Sequence, residues 1–111
     1  MSALAERLEQ AASRVDLDTG DLARVLEANP RTVSRWLKDE ASPRHRARER
    51  LLEVVAVLER LSTTLNPEAA HDWLFTPNPS FDYHKPVDLL RSGDFRRVLG
   101  AIDAMAEGVF V

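Results

Sequence analysis

Cysteine is absent from the 111 residues, which excludes disulfides, cysteine-ligated zinc and thiol nucleophiles. Three scattered histidines, His45, His71 and His84, leave little for any other metal site. Glycine is scarce as well. Four glycines are too few for a nucleotide-cradling loop, and neither G-x-G-x-x-G nor G-x-x-x-x-G-K occurs. No apolar run approaches the roughly 18–20 residues of a membrane span. The opening, MSALAERLEQ, has acids where a signal peptide carries its apolar stretch. The expectation is a cytoplasmic protein with no membrane association, no cofactor and no metal. Catalysis fits worst among the function classes, because no nucleophile, base and orienting group form a recognisable set. His71 beside Asp72 reads as a helix-surface pair.

Apolar residues at 44% and charged residues at 30% are ordinary for a folded globular chain. The length allows one modest core, with room for a small appendage. A net charge of −3 conceals an uneven distribution. Residues 1–28 carry three arginines against six acids, and residues from 63 onward carry four basic against seven acidic side chains. Between them, residues 29–50 hold seven cations (Arg31, Arg35, Lys38, Arg44, Arg46, Arg48 and Arg50) against Asp39, Glu40 and Glu49. A basic middle between acidic flanks attracts phosphate at one place only. Six of the seven aromatics follow residue 70, leaving Trp36 alone in the first part. Two halves with different chemistry imply two jobs.

Apolar periodicity predicts helices throughout and no sustained strand alternation, so the fold class is all-α. Leu4, Leu8, Ala11 or Ala12, and Val15 mark a first helix; Leu22, Val25 and Leu26 mark a second that begins near Asp21, with Asp18 or Thr19 as its cap. Asn29-Pro30, Ser42-Pro43 and Asn66-Pro67 each read as a capping residue followed by a first-turn proline. They predict helices from Pro30 to about Lys38, from Pro43 to about Leu61 with a Leu51, Val54/Val55, Leu58, Leu61 stripe, and from Pro67 through Phe75. Pro77, Pro79 and Pro86 forbid regular structure over residues 76–86. Pro86 opens a short turn, and Asp94 starts a last helix that Gly108 stops. Residues 1–62 and 63–111 are the expected units.

A helix, a short turn and a second helix bearing short polar and basic side chains have the spacing of a helix-turn-helix. Leu22-Ala23-x-x-Leu26 followed by Asn-Pro-Arg-Thr-Val-Ser-Arg-Trp (29–36) resembles the Xre-type helix-turn-helix of bacterial repressors. The resemblance implies that Val33 and Trp36 face the core, while Arg31, Thr32, Ser34, Arg35 and Lys38 face DNA. Arg44, Arg46 and Arg48 read as phosphate contacts, since acids to pair with them are few. Repressors of this type usually place glycine in the turn, where this chain has Glu27. The expectation is a differently shaped turn with Asn29 in the left-handed position.

Trp73-Leu74-Phe75-x-Pro77-Asn78, then Lys85-Pro86-x-Asp88-Leu89-Leu90, then Val98-Leu99 and the ending Ile-Asp-Ala-Met-Ala-Glu-Gly-Val-Phe-Val resemble the toxin-binding domain of the Xre/MbcA/ParS antitoxins. A glycine-rich turn common in that family ahead of Pro-x-Asp-Leu-Leu is replaced here by Phe81-Asp82-Tyr83-His84. The resemblance implies an antitoxin that silences a NAD-consuming RES-domain toxin and represses the shared operon by binding operator DNA as a homo-oligomer. It assigns toxin contact to Trp73, Phe75, Asn78, Lys85, Glu107, Gly108, Val109, Phe110 and Val111. An apolar tail after a helix-stopping glycine needs cover. Phe110 either folds back on its own helix or enters the partner. The alternative function is a stand-alone helix-turn-helix repressor with no toxin, and a third is a purely structural protein adaptor.

Overall fold

A computed structural model of the chain describes residues 2–108. Among these residues there are seven α-helices and no strand: α1 (Ala3–Arg14), α2 (Thr19–Leu26), α3 (Pro30–Leu37), α4 (His45–Ser62), α5 (Pro67–Phe75), α6 (Pro86–Arg91) and α7 (Phe95–Ala106). The all-helical expectation holds.

Polar caps set the starts. Ser2 Oγ accepts from the Ala5 amide, and Asn66 Oδ1 from the Ala69 amide at 2.9 Å. Asp18 and Asp21 form a reciprocal capping box, with Asp21 N–H donating to Asp18 Oδ1 at 2.8 Å and Asp18 N–H to Asp21 Oδ2 at 3.1 Å. That box starts α2 at Thr19, two residues before the start expected from its apolar stripe. Each such cap is worth about 1 kcal/mol. Ser42-Pro43 does not start a helix. α4 begins at His45, behind an Arg44 whose side chain caps nothing. Ser-Pro is equally a turn signal, and here the turn wins.

Four helices end in the same hydrogen-bond pattern, in which the reversing residue is left-handed and the following amide reaches back five residues. Leu17 N–H donates to Ala12 O, Ala28 to Ala23 O, Glu40 to Arg35 O and Asp94 to Leu89 O. The reversing residues are Asp16 (φ 55°), Glu27 (φ 53°), Asp39 (φ 62°) and Gly93 (φ 87°). Only the last is glycine. The expectation that Asn29 takes the left-handed role is therefore corrected. Glu27 takes it, and Asn29 is extended (φ −71°), its Oδ1 accepting from the Arg31 amide at 2.8 Å. The backbone satisfies its amides locally at the end of α2 and leaves Asn29 free to cap α3.

The core is continuous from Leu8 to Ile102. On α4, Leu51, Val54, Val55, Val57, Leu58 and Leu61 are all buried, a band too wide for one neighbour. α1 and α2 pack on α4 from the first half of the chain, and α5 and α7 from the second. α2 also packs on α6. The boundary expected at residues 62/63 falls at the end of this shared helix.

Candidate functional site

The α2–α3 pair presents one exposed polar surface. Val33 is fully buried and anchors α3, with Trp36 and Leu37 partly buried beside it. Arg31, Thr32, Arg35 and Lys38 are exposed and Ser34 is half-buried. Arg31, Arg35 and Lys38 follow i, i+4, i+7 spacing, which puts three cations on one stripe. Arg44, Arg46 and Arg48 are exposed at the start of α4. Among the described residues, none of these six cations has an acidic partner within 4.0 Å.

The start of α4 deepens this field. Its first turn has no acid and no side-chain cap, so its open amides and the positive end of its dipole lie among arginines. Cations at that end disfavour the helix by about 0.3–1 kcal/mol each unless an anion joins them. Two sides of Trp36 are involved. Arg48 lines a cavity of about 260 Å³ with Leu4, Leu8, Trp36 and Pro43, whereas Arg46 lines a notch with Glu27, Ala28, Trp36 and Arg50. The seventh cation of the basic middle, Arg50, belongs elsewhere. It lies 3.8 Å from Glu27 and donates to the carbonyls of Leu90 and Arg91, while its Nε is buried without a partner.

The second half is built around a proline-stiffened loop. The proline-based expectation of no regular structure over residues 76–86 is amended by a single 3-10 turn, Pro79–Phe81. Asn78 holds it. Its Oδ1 accepts from the Ser80 amide, its carbonyl accepts from Phe81 and Tyr83, and its own amide donates to His84 O. Asn78 is only 7% exposed, so its polar atoms serve the loop. Phe81 is buried, meets Trp73 edge to face at 6.3 Å, and lies beneath the Arg97 guanidinium.

Trp73 and Phe75 are both half-buried but face different neighbours. Phe75 meets His71 at 4.9 Å and lies under Arg24 of α2 at 5.7 Å, and His71 Nδ1 is 2.9 Å from Asp16 O. Lys85 is exposed and shares a pocket of about 180 Å³ with Arg24, Phe75, Val87, Asp88 and Arg91. Glu107 and Gly108 are exposed at the end of α7, with Gly108 left-handed at φ 79°. Val109, Phe110 and Val111 lie outside the described residues.

Residues 56–108 match the family model described as the antitoxin Xre/MbcA/ParS C-terminal toxin-binding domain. The whole chain is 38% identical over 111 residues to the mycobacterial cidal antitoxin MbcA of Mycobacterium tuberculosis, covering 100% of this chain and 98% of that protein. The Mycobacterium bovis MbcA gives the same figures. The fold matches a chain in the crystal structure of the M. tuberculosis MbcT–MbcA toxin–antitoxin complex with a TM-score of 0.90, at 38% identity and full coverage of both chains. This chain belongs to the Xre/MbcA/ParS antitoxin family.

It is a family of antitoxins, not of enzymes. Within this antitoxin the family model begins inside α4, so it takes in the last part of the shared helix, from residue 56, with α5, α6 and α7. Arg24 and Arg50 fall outside it yet touch it, Arg24 through Phe75 and Arg50 through α6. Sequence reading passed over Arg24 and counted Arg50 only with the basic middle, because partners 40 or more residues away leave no local pattern. Tyr83 was also missed. It is 71% exposed and left-handed at φ 65°, directly after left-handed Asp82 at φ 53°. The signal was the Phe81-Asp82-Tyr83-His84 stretch standing where the family favours glycine.

Proposed function

We propose that this chain is the antitoxin of a two-protein system. Its second half binds and neutralises a NAD-consuming RES-domain toxin, and its α2–α3 face with the start of α4 binds the operator. The observation that carries the reading is end-to-end similarity, in sequence and fold, to an antitoxin crystallised with its toxin. Similarity confined to α2–α3 would have fitted a stand-alone repressor equally well.

The division of labour follows the chemistry. The unpaired stripe Arg31, Arg35, Lys38 with Thr32 and Ser34 suits a helix laid in the major groove, where arginine reads guanine edges and short polar groups read any base. Arg44, Arg46, Arg48 and the uncapped start of α4 suit phosphates, which use the same amides and dipole. One such helix covers half a site, so binding as a dimer or larger homo-oligomer is part of the proposal. All of this takes place in the cytoplasm, where both DNA and NAD are found.

Toxin contact is assigned to Trp73, Phe75, Lys85, Glu107, Gly108 and the tail Val109-Phe110-Val111. Asn78 shapes the loop between them. The tail follows a left-handed glycine and spans about 10 Å if extended. Its three apolar side chains suit an apolar slot on the toxin, where burial of Phe110 alone is worth about 1.5–3 kcal/mol.

Co-expression with a RES-domain toxin tests the reading. The two proteins co-purify on one tag and the culture survives toxin induction. A chain that binds operator DNA and leaves the toxin free and lethal is a repressor only.

A further inference from the structure

Tyr83 is the one large apolar side chain among the described residues that stands exposed, at 71%. Its backbone makes the position unusual. Asp82 and Tyr83 are consecutive non-glycine residues in the left-handed region, and an aromatic residue there is an outlier. Such a conformation persists only where surrounding bonds over-determine it. Here they do. The Tyr83 amide donates to Asn78 O, His84 to Phe81 O, Asp82 to Pro79 O and Asn78 to His84 O, all around a buried asparagine and a buried phenylalanine.

Among the described residues, no hydrogen bond or aromatic contact uses the ring that this arrangement displays. Glycine would satisfy the same backbone at no steric cost. A rigid loop that holds an aromatic ring in water has the properties of a binding anchor, because the ordering cost is met before the partner arrives. Tyrosine is among the residues most enriched at interface hot spots. The loop also lies inside residues 56–108, the segment matched by the toxin-binding family model, which points to a protein toxin as the occupant. We infer that Tyr83 is the anchor of the toxin interface, inserting its ring into an apolar slot on the RES-domain partner. This rests on the proposed toxin-binding function and adds the residue that anchors the contact.

The strain makes the test directional. Tyr83→Gly relieves the left-handed backbone, so the thermal midpoint of the full chain stays or rises. The same change weakens binding to the RES-domain toxin that the chain neutralises in co-expression by about 30-fold in calorimetry. Tyr83→Ala keeps the strained Cβ and loses the same affinity, whereas Tyr83→Phe keeps the ring and binds within about fivefold of the native chain. Equal affinity for the glycine variant and the native chain overturns the inference, and so does a phenylalanine variant as weak as glycine. If Tyr83→Gly shifts self-association in sedimentation while toxin affinity holds, the ring covers a second copy and the inference fails. A native chain that does not bind the RES-domain protein at all removes the proposed function, and this inference with it.

Discussion

Arg50 donates from the first half of α4 to the carbonyl of Leu90, 3.1 Å away near the end of α6. The same guanidinium donates to Arg91 O and lies 3.8 Å from Glu27, the residue that turns the chain from α2 toward α3. One side chain thus joins the turn of the proposed DNA reader, the shared helix and the family's toxin-binding segment. A cation at the C-terminal end of α6 also complements that helix's dipole.

Arg50→Ala is expected to destabilise the chain by about 1.5–3 kcal/mol, the range for hydrogen bonds to a charged group. Arg50→Lys should rescue less than half of this, since a point charge cannot span two carbonyls and Glu27 as a planar fork does. Thermal denaturation reads both. An unchanged midpoint for Arg50→Ala would make the contact decorative.

Glu27→Gly is expected to stabilise by about 0.5–1 kcal/mol. Releasing a left-handed side chain gains about 1–2 kcal/mol, against the larger unfolded-state entropy of glycine at about 0.5–1 kcal/mol. The lost ion pair with Arg50 is long and the Glu27 side chain is 58% exposed, so it offsets little. The thermal midpoint should rise by a few degrees with operator affinity unchanged. A lower midpoint would show that Glu27 is held there for the ion pair.

Much of this fold was legible because its signals are local. Asn29-Pro30 and Asn66-Pro67 cap and start their helices as their chemistry dictates, each asparagine accepting a first-turn amide. The stops were less visible. Helix ends are usually announced by glycine, and in a chain with four of them Asp16, Glu27 and Asp39 fill left-handed positions that short-range pattern assigns to no one. The shared core was harder still. The stripe Leu51, Val54/Val55, Leu58, Leu61 describes one face of α4, and buried Val57, outside it, is the residue that reveals a second packed face. Exposure of Arg31, Arg35 and Lys38 on α3 was implied by the resemblance to a helix-turn-helix, which puts Val33 on the buried side. The separate surroundings of Trp73 and Phe75, two residues apart on α5, were not legible, because Phe81 meets Trp73 from the following loop while Arg24 reaches Phe75 from α2.

Operator affinity should depend steeply on salt. About five phosphate contacts give a slope of about −4 to −5 in log affinity against log salt concentration. Neutralising Arg44, Arg46 and Arg48 together should flatten it. Arg35→Ala should cost about 1–3 kcal/mol on the operator and less on random DNA. A flat salt response in the native chain contradicts the assignment of the basic middle, and equal losses on both DNAs make Arg35 a phosphate contact.

Removal of residues 109–111 should leave operator binding intact, because the α2–α3 face and the start of α4 are built without them. The truncated chain should release the toxin's NAD consumption. Full inhibition by the truncated chain would place neutralisation on the helical surface instead.

NAD consumption by a purified RES-domain toxin, the proposed partner, followed as this chain is titrated in, tests the central claim most directly. The account predicts that turnover falls in proportion to added antitoxin and ceases once every toxin is matched. Turnover that continues unchanged in a large excess of the folded chain would contradict it.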